Sequence, residues 1–250
     1  MVNCGDPGAR HAAMAIGAGF CDRFPRFLET TETIPSPNRL NCRYRAVIAA
    51  NAKIFAGQRV LDLGSHDGRW SFAALEAGAR HVTGIEARPR LLEKANNNFS
   101  FYKVDRSRYR FILGEALAEL SLLQDNSIDI MMCLGFFYHT LGHTQILLEA
   151  RRLGARYIIM DTGVTGDAEP LIRLLYEPVS DARMSVDYSG GGRSHALVGV
   201  PSRAAVTAML DYADYEAEFF DWHDGSIVDW TDIEDYRTGR RVTLLARRRG

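Results

Sequence analysis

Short apolar runs alternate with longer segments of helical period along most of this chain. Strand-like runs stand at "RVLDLG" (59–64), "HVTGIEA" (81–87), "YRFILG" (109–114), "SIDIMMCLG" (127–135) and "ARYIIMDTG" (155–163). Between them lie "GRWSFAALEAG" (68–78), "PRLLEKANNNF" (89–99), the short "EALAEL" (115–120) and "HTQILLEARRLG" (143–154). Brief apolar runs bounded by turn residues read as buried strands, and longer amphipathic ones as helices. Glycine just past a helix end and proline in its first turn support the limits. Five strand–helix repeats predict an α/β fold, a mostly parallel sheet with helices on both faces. In such sheets ligands bind beyond the carboxyl ends of the strands, near the switch point in strand order. The turns after the strands are therefore the places to look for chemistry.

Both flanks depart from this alternation. Upstream, two helices are expected at about 11–29 and 39–54, separated by the breaker "IPSPN" (34–38), as an N-terminal helical cap over 1–55. The stretch "AAMAIGAGF" (12–20) has the look of a signal-peptide core but is short and glycine-broken, and it reads as helix. Downstream, 164–200 loses the pattern. "SVDYSGGGRSHALVGV" is polar and glycine-rich, too long for a mere connection, and is expected to be a substrate-side loop or lid after the fifth strand. "PSRAAVTAMLDYA" resumes helix, and "YEAEFFDW" and "RRVTLLARRR" are expected to close the sheet as two antiparallel strands. The main domain then covers 56–250, with the insert at 164–200.

Composition narrows the function classes. The chain has 250 residues, 46% hydrophobic and 24% charged, as for a soluble protein with one sizeable core. A formal net charge of -1 supplies no global field for nucleic acid or an anionic membrane, so neither partner is expected. No apolar run approaches the roughly 18 residues of a membrane span. Cys4, Cys21, Cys42 and Cys133 are scattered without a CxxC pair, which excludes a metal knuckle and a disulfide framework and fits a reducing cytoplasm.

The turn after the first strand, "VLDLGSHDGRWS" (60–71), sets Ser65, His66 and Asp67 side by side. Adjacent side chains on a tight turn diverge, so they do not form a triad; Asp67 is placed to cap the helix starting at Gly68. Gly64 and Gly68 let backbone N–H groups approach a ligand at a helix N-terminus. A dinucleotide fingerprint would need glycine at 64, 66 and 69, and a phosphate loop would need Gly-Lys-Ser/Thr; both fail. "DLGSHDG" resembles the S-adenosylmethionine loop of class I methyltransferases, with Asp62, Gly64 and Gly68 matching and His66 in place of the middle glycine. Glu86 in "VTGIEARP", 22 positions after Gly64, "LGEAL", and "SIDIMMCLGFFYH" resemble the later motifs of that family in order. The resemblance covers about 58–163. It implies a Rossmann-like class I methyltransferase sheet and a cofactor, S-adenosylmethionine, held at Asp62, Gly64, His66 and Gly68. Glu86 would take the ribose hydroxyls, as at the end of the second strand in nucleotide-binding sheets. Glu115 and Ala116 would stand at the adenine amine, and Cys133, Leu134 and Gly135 beside the methionine part.

Methyl transfer to a hydroxyl also needs a proton acceptor. "LGFFYHTLGH" (134–143) places His139 just past the fourth strand and His143 four positions later, and either is a candidate general base. An aromatic followed by histidine here resembles class I enzymes acting on hydroxyls and other small-molecule groups. Zinc is disfavoured, since "HTLGH" lacks the glutamate of HExxH. Some sugar O-methyltransferases use Mg2+ to orient and acidify hydroxyls, and Asp161 is the best-placed oxygen ligand here; it could equally cap a turn or hold a substrate hydroxyl. Tyr188, Arg193 and His195 in the insert, and Arg43 and Tyr44 in "NRLNCRYR" (38–45), are candidates for the substrate side. The expected function is O-methylation of a hydroxylated small molecule or glycan in the cytoplasm, with a homodimer left open. As a whole the chain is similar to actinobacterial sugar O-methyltransferases of the methylmannose polysaccharide type. Two alternatives stand beside this. "LGFFYH" also resembles a tRNA wobble-uridine carboxymethyl-transferring family, against which the acidic "DWHDGSIVDWTDIEDY" (221–236) argues. The other is a cofactor-binding module without catalysis.

Overall fold

The computed structural model describes residues 19–181 and 183–250. A seven-stranded sheet organises them, built from β1 (Arg59–Leu63), β2 (His81–Glu86), β3 (Tyr109–Leu113), β4 (Ile130–Leu134), β5 (Tyr157–Gly163), β8 (Tyr215–Phe219) and β9 (Arg241–Arg248), in the order β3-β2-β1-β4-β5-β9-β8. β1 to β5 are mutually parallel; β9 alone runs against its two neighbours. Sequence order reverses between β1 and β4, so the switch point lies at the ends of those two strands. Alternate residues of β4 serve opposite faces. Met131 and Cys133 join one core with the helices α7 (Ala116–Leu122), α8 (His143–Arg152) and α9 (Arg203–Tyr212). Ile130 and Met132 join the other with α5 (Arg69–Glu76) and α6 (Pro89–Phe101).

Ahead of the sheet the chain is helical but more broken than its pattern suggests. α1 (Phe20–Arg23) and α2 (Arg26–Thr30) replace the continuous helix expected to 29, because Pro25 disfavours helix at Phe24. The rest of that expectation, 11–18, lies outside the described residues, as does most of "AAMAIGAGF". α3 (Pro37–Val47) begins two residues early, since Pro37 fits the first turn and the Ser36 hydroxyl accepts from Arg39 N–H at 3.2 Å. A single 3₁₀ turn and α4 (Ala52–Phe55) follow where one helix to 54 was expected. Phe20, Phe24 and Phe27 pack with Phe72 and Tyr102, pinning α1 and α2 onto α5 and α6.

The insert differs most from expectation. It is not a loop throughout but a hairpin, β6 (Ile172–Pro178) against β7 (His195–Pro201), joined by the polar stretch between them. Gly199 anchors it. Its N–H donates to the Thr140 carbonyl at 3.0 Å, and its carbonyl accepts from His143 Nε2 at 2.8 Å. A Cβ there would stand 2.9 Å from His143 Cε1, so only glycine permits this approach.

Candidate functional site

A cavity of about 520 Å³ opens at the carboxyl ends of β1 to β4, where the sheet order reverses. Three turns form its floor. Gly64 leaves β1 at φ +73°, with Phe136 3.1 Å from where a Cβ would stand. His66, in place of the expected glycine, adopts φ +54°, a left-handed conformation that histidine tolerates better than most side chains. Its backbone N–H donates to Glu86 Oε2 at 2.9 Å, while Arg88 N–H donates to Oε1 at 2.9 Å. The Glu86 carboxylate is thus held at the end of β2 with lone pairs to spare for a ligand. Glu115 turns its side chain back to cap α7 at Ala118 N–H and, with Ala116, lines the far end of the cavity. Leu134 and Gly135 line the near end.

Three expected cofactor contacts stand behind this wall instead. Asp62 is fully buried, accepts from Ser71 Oγ at 2.6 Å, and its carboxyl is pushed up to about 7 by burial. Gly68 sits against Phe99, Ala95 and Phe111, so its missing side chain serves helix packing. The Cys133 side chain is in the core, and burial raises its thiol. Asp67 caps nothing: its oxygens take Arg69 Nε at 2.7 Å and Thr30 Oγ1 at 3.0 Å, leaving the Gly68 N-cap without a side-chain bond. Burial would raise that carboxyl, but the Arg69 guanidinium holds it well below the usual range.

The acceptor side separates the two histidines. His139 lines the cavity, and its Nδ1 lies 2.9 and 2.7 Å from the two oxygens of Glu177. A carboxylate only accepts, so Nδ1 is the nitrogen that carries a proton toward Glu177, and in the neutral tautomer this fixes, Nε2 is the nitrogen with a lone pair. His143 is no part of the cavity wall. A carbonyl also only accepts, so its Nε2 proton is committed to Gly199; its ring packs edge-on against Phe137, and burial lowers its pKa. It anchors the hairpin, which corrects its candidacy as the base.

Asp161 is likewise not a free metal ligand. Its Oδ1 accepts from Arg43 Nη2 at 3.0 Å and Arg241 Nε at 2.7 Å, and its Oδ2 from Tyr236 OH and Thr243 Oγ1, each at 2.8 Å. Burial would raise this carboxyl, but Arg241 and Arg43 hold it far below the ordinary range. A cation there would meet two guanidinium groups and occupied lone pairs. Among the described residues no group of three or more His, Cys, Asp or Glu side chains is placed to hold a metal. Two arginines sharing one carboxylate leave a unit of positive charge in the cavity wall beside Gly135.

The remaining substrate-side candidates divide. Arg43 and Tyr188 line the cavity. Tyr44 stacks on Phe20 at 5.1 Å, away from it. Arg193 and His195 are exposed on the far part of the hairpin and do not reach it. Glu177, Arg88 and Arg241 line the cavity without having been singled out in the sequence, as does Tyr138, the aromatic ahead of His139. The one local signal was a lone acid closing an apolar strand in "IRLLYEP".

The family model described as "Methyltransferase domain" matches residues 54–181, just over half of the chain. The chain belongs to this methyltransferase family. Its fold is that of the class I, S-adenosylmethionine-dependent methyltransferases. The methyltransferase superposes on the N-terminal domain of EvdMO1 with SAH bound at a TM-score of 0.61, with 18% identity, over 80% of this chain and 79% of that one. PH0226 protein from Pyrococcus horikoshii OT3 gives a TM-score of 0.59 at 15% identity, over 91% of this chain and 99% of that one. In sequence the methyltransferase is 32% identical over 77 residues to ribosomal protein L11 methyltransferase from Prochlorococcus marinus (strain MIT 9303). That match spans 31% of this chain and 26% of the relative's length. No helix among the described residues is long and apolar enough to cross a membrane.

Proposed function

We propose that this methyltransferase transfers a methyl group from S-adenosylmethionine to a hydroxyl of a small molecule or sugar, with His139 as general base. The observation that carries the reading is the His139–Glu177 pair, which commits Nδ1 to the carboxylate and leaves Nε2 as the nitrogen available to an acceptor, on a side chain lining the cavity at the strand ends.

The residues present suit the donor. Glu86 offers a carboxylate to a pair of ribose hydroxyls, and Ile85, Leu91 and Ala116 give an apolar shelf for a base. Arg43 and Arg241 offer their surplus positive charge to a carboxylate. His66 Nε2 and Arg43 Nε, on side chains lining the cavity, are buried without partners in the protein, a state that bound ligands commonly relieve. S-adenosylmethionine supplies an electrophilic methyl carbon on a sulfonium. The protein's part is to hold the acceptor in line and to remove its proton. His139 Nε2 would take the hydroxyl proton as the acceptor oxygen displaces sulfur from the methyl carbon, the carbon–sulfur electron pair going to the sulfur, and Glu177 would stabilise the resulting imidazolium through Nδ1. Tyr138, whose ring lies 4.0 Å from the His139 ring, and Tyr188 give walls on which a sugar face can lie.

The test is calorimetry with S-adenosylmethionine and its demethylated product, followed by a methyl-donor assay over a panel of free sugars and glycans. His139→Ala is expected to keep product affinity and to lower turnover by about 10²–10⁴-fold. Undiminished turnover in that variant sinks the proposed base. Absence of binding heat, or of its loss in Glu86→Ala, sinks the donor site.

A further inference from the structure

Arg88 stands where β2 gives way to α6. The following proline favours its extended backbone, φ −99° and ψ 113°, which points the N–H at Glu86 Oε1 rather than into the helix. Its guanidinium meets no carboxylate within salt-bridge distance among the described residues. It donates instead to four backbone carbonyls of one loop: Asp181 at 2.9 Å, Met184 and Ser185 at 3.2 Å, and Val179 at 3.3 Å. That loop follows β6 and has no ladder of its own to satisfy these carbonyls. One cation therefore gathers four acceptors of that loop, of which the Asp181 carbonyl also accepts from Met184 N–H at 3.0 Å.

The loop ends at a functional contact. Ser185 N–H donates to Glu177 Oε2 at 2.9 Å, and the same oxygen holds His139 Nδ1 at 2.7 Å. Ser185, Glu177 and His139 are all buried. A continuous run of hydrogen bonds thus leads from Arg88 through the loop and Ser185 to the imidazole. At its other end, the Arg88 backbone braces Glu86.

We infer that Arg88 is a positioning residue: it sets the loop that orients Glu177, and through it the His139 ring, relative to Glu86. The inference rests on the reading of His139 as base, but the geometry it predicts is measurable without turnover. Arg88 makes no hydrogen bond or ion pair with His139 or Glu177 among the described residues; its polar side-chain contacts are to the loop, so its effect is transmitted.

The experiment compares the unsubstituted protein with Arg88→Ala and, as the milder change, Arg88→Lys, which keeps a cation but loses the planar fork. Two readouts are taken, each without an acceptor. Hydrogen exchange of the 183–186 backbone amides should accelerate at least about tenfold in Arg88→Ala while β1 and β4 remain protected. The proton resonance of His139 Nδ1–H, identified by its absence in His139→Gln, should weaken or vanish in Arg88→Ala. Free guanidinium at non-denaturing concentration should restore it. If Arg88→Ala does not fold, Arg88→Lys carries the same two tests with smaller effects. Unchanged exchange at 183–186 together with an unchanged His139 resonance overturns the inference. A changed resonance with undiminished methyl transfer in His139→Ala retains the positioning but sinks the base reading.

Discussion

Asp161 is the residue on which the acceptor side of the cavity leans. It carries one charge against two, and two hydroxyls complete its bonding. A buried ion pair adds little over an apolar replacement, but breaking one by removing a single partner leaves the other charge stranded. Asp161→Asn is therefore expected to destabilise the protein by about 3–5 kcal/mol, read as a lowered denaturant midpoint at pH 7. A loss below about 1 kcal/mol would show that water reaches Arg43 and Arg241. The sequence put Asp161 at the end of a strand on the ligand side, which is where it lies. It could not reveal the partners, because Arg43 is 118 positions upstream and Arg241 80 downstream. The same distance hid the role of Glu177: periodicity tells which face a side chain takes, not which remote side chain waits there.

At the scale of elements, glycines and prolines did most to set the limits. Pro25 breaks the first helical stretch, Pro37 and Pro89 start the third and sixth helices, and Gly64 and Gly68 shape the turn after β1. Pro89, Gly64 and Gly68 were legible, since the constraint is local; the break at Pro25 and the start at Pro37 were not, one helix having been expected over 11–29 and the next from 39. The packing purpose of Gly68 was not. Its φ is +80°, and a Cβ would stand 2.9 Å from Phe99 Cε2. Gly68→Ala is expected to cost about 1–3 kcal/mol of stability by thermal melting. Gly57→Ala, at φ +72° but with open space around it, should cost less. Equal losses would mean that backbone strain alone decides and the contact with Phe99 relaxes freely. The hairpin β6–β7 escaped the pattern because nearly every residue of β6 is exposed on both faces. Alternation marks a strand only when one face is buried and the other is not.

For the molecule as a whole, three buried carboxyls pull stability in two opposite directions with pH. Asp62, raised to about 7 by burial, is neutral in the fold well above the ordinary value of about 3.9. Its contribution is fully present below about pH 4 and is lost as pH rises toward about 7, because only the unfolded chain ionises freely over that window. Asp161 and Asp67, held low, contribute above the ordinary carboxyl value and lose it as pH falls below. The melting temperature of Asp62→Asn relative to the unsubstituted protein should thus climb between about pH 4 and pH 7 and level off above. A difference that is flat across that range would place a compensating cation or water beside Asp62. The alternation of apolar runs and turn residues was enough to determine the class of fold, the location of the ligand-facing turns and the carboxylate at the end of β2. Those follow from backbone preference and burial, which act over a few neighbouring residues. The pairing of His139 with Glu177, the demotion of His143 to an anchor and the neutralisation of Asp161 were decided only when remote segments met. Hydrogen bonds and charges act over a few ångströms in space and carry no trace in local sequence.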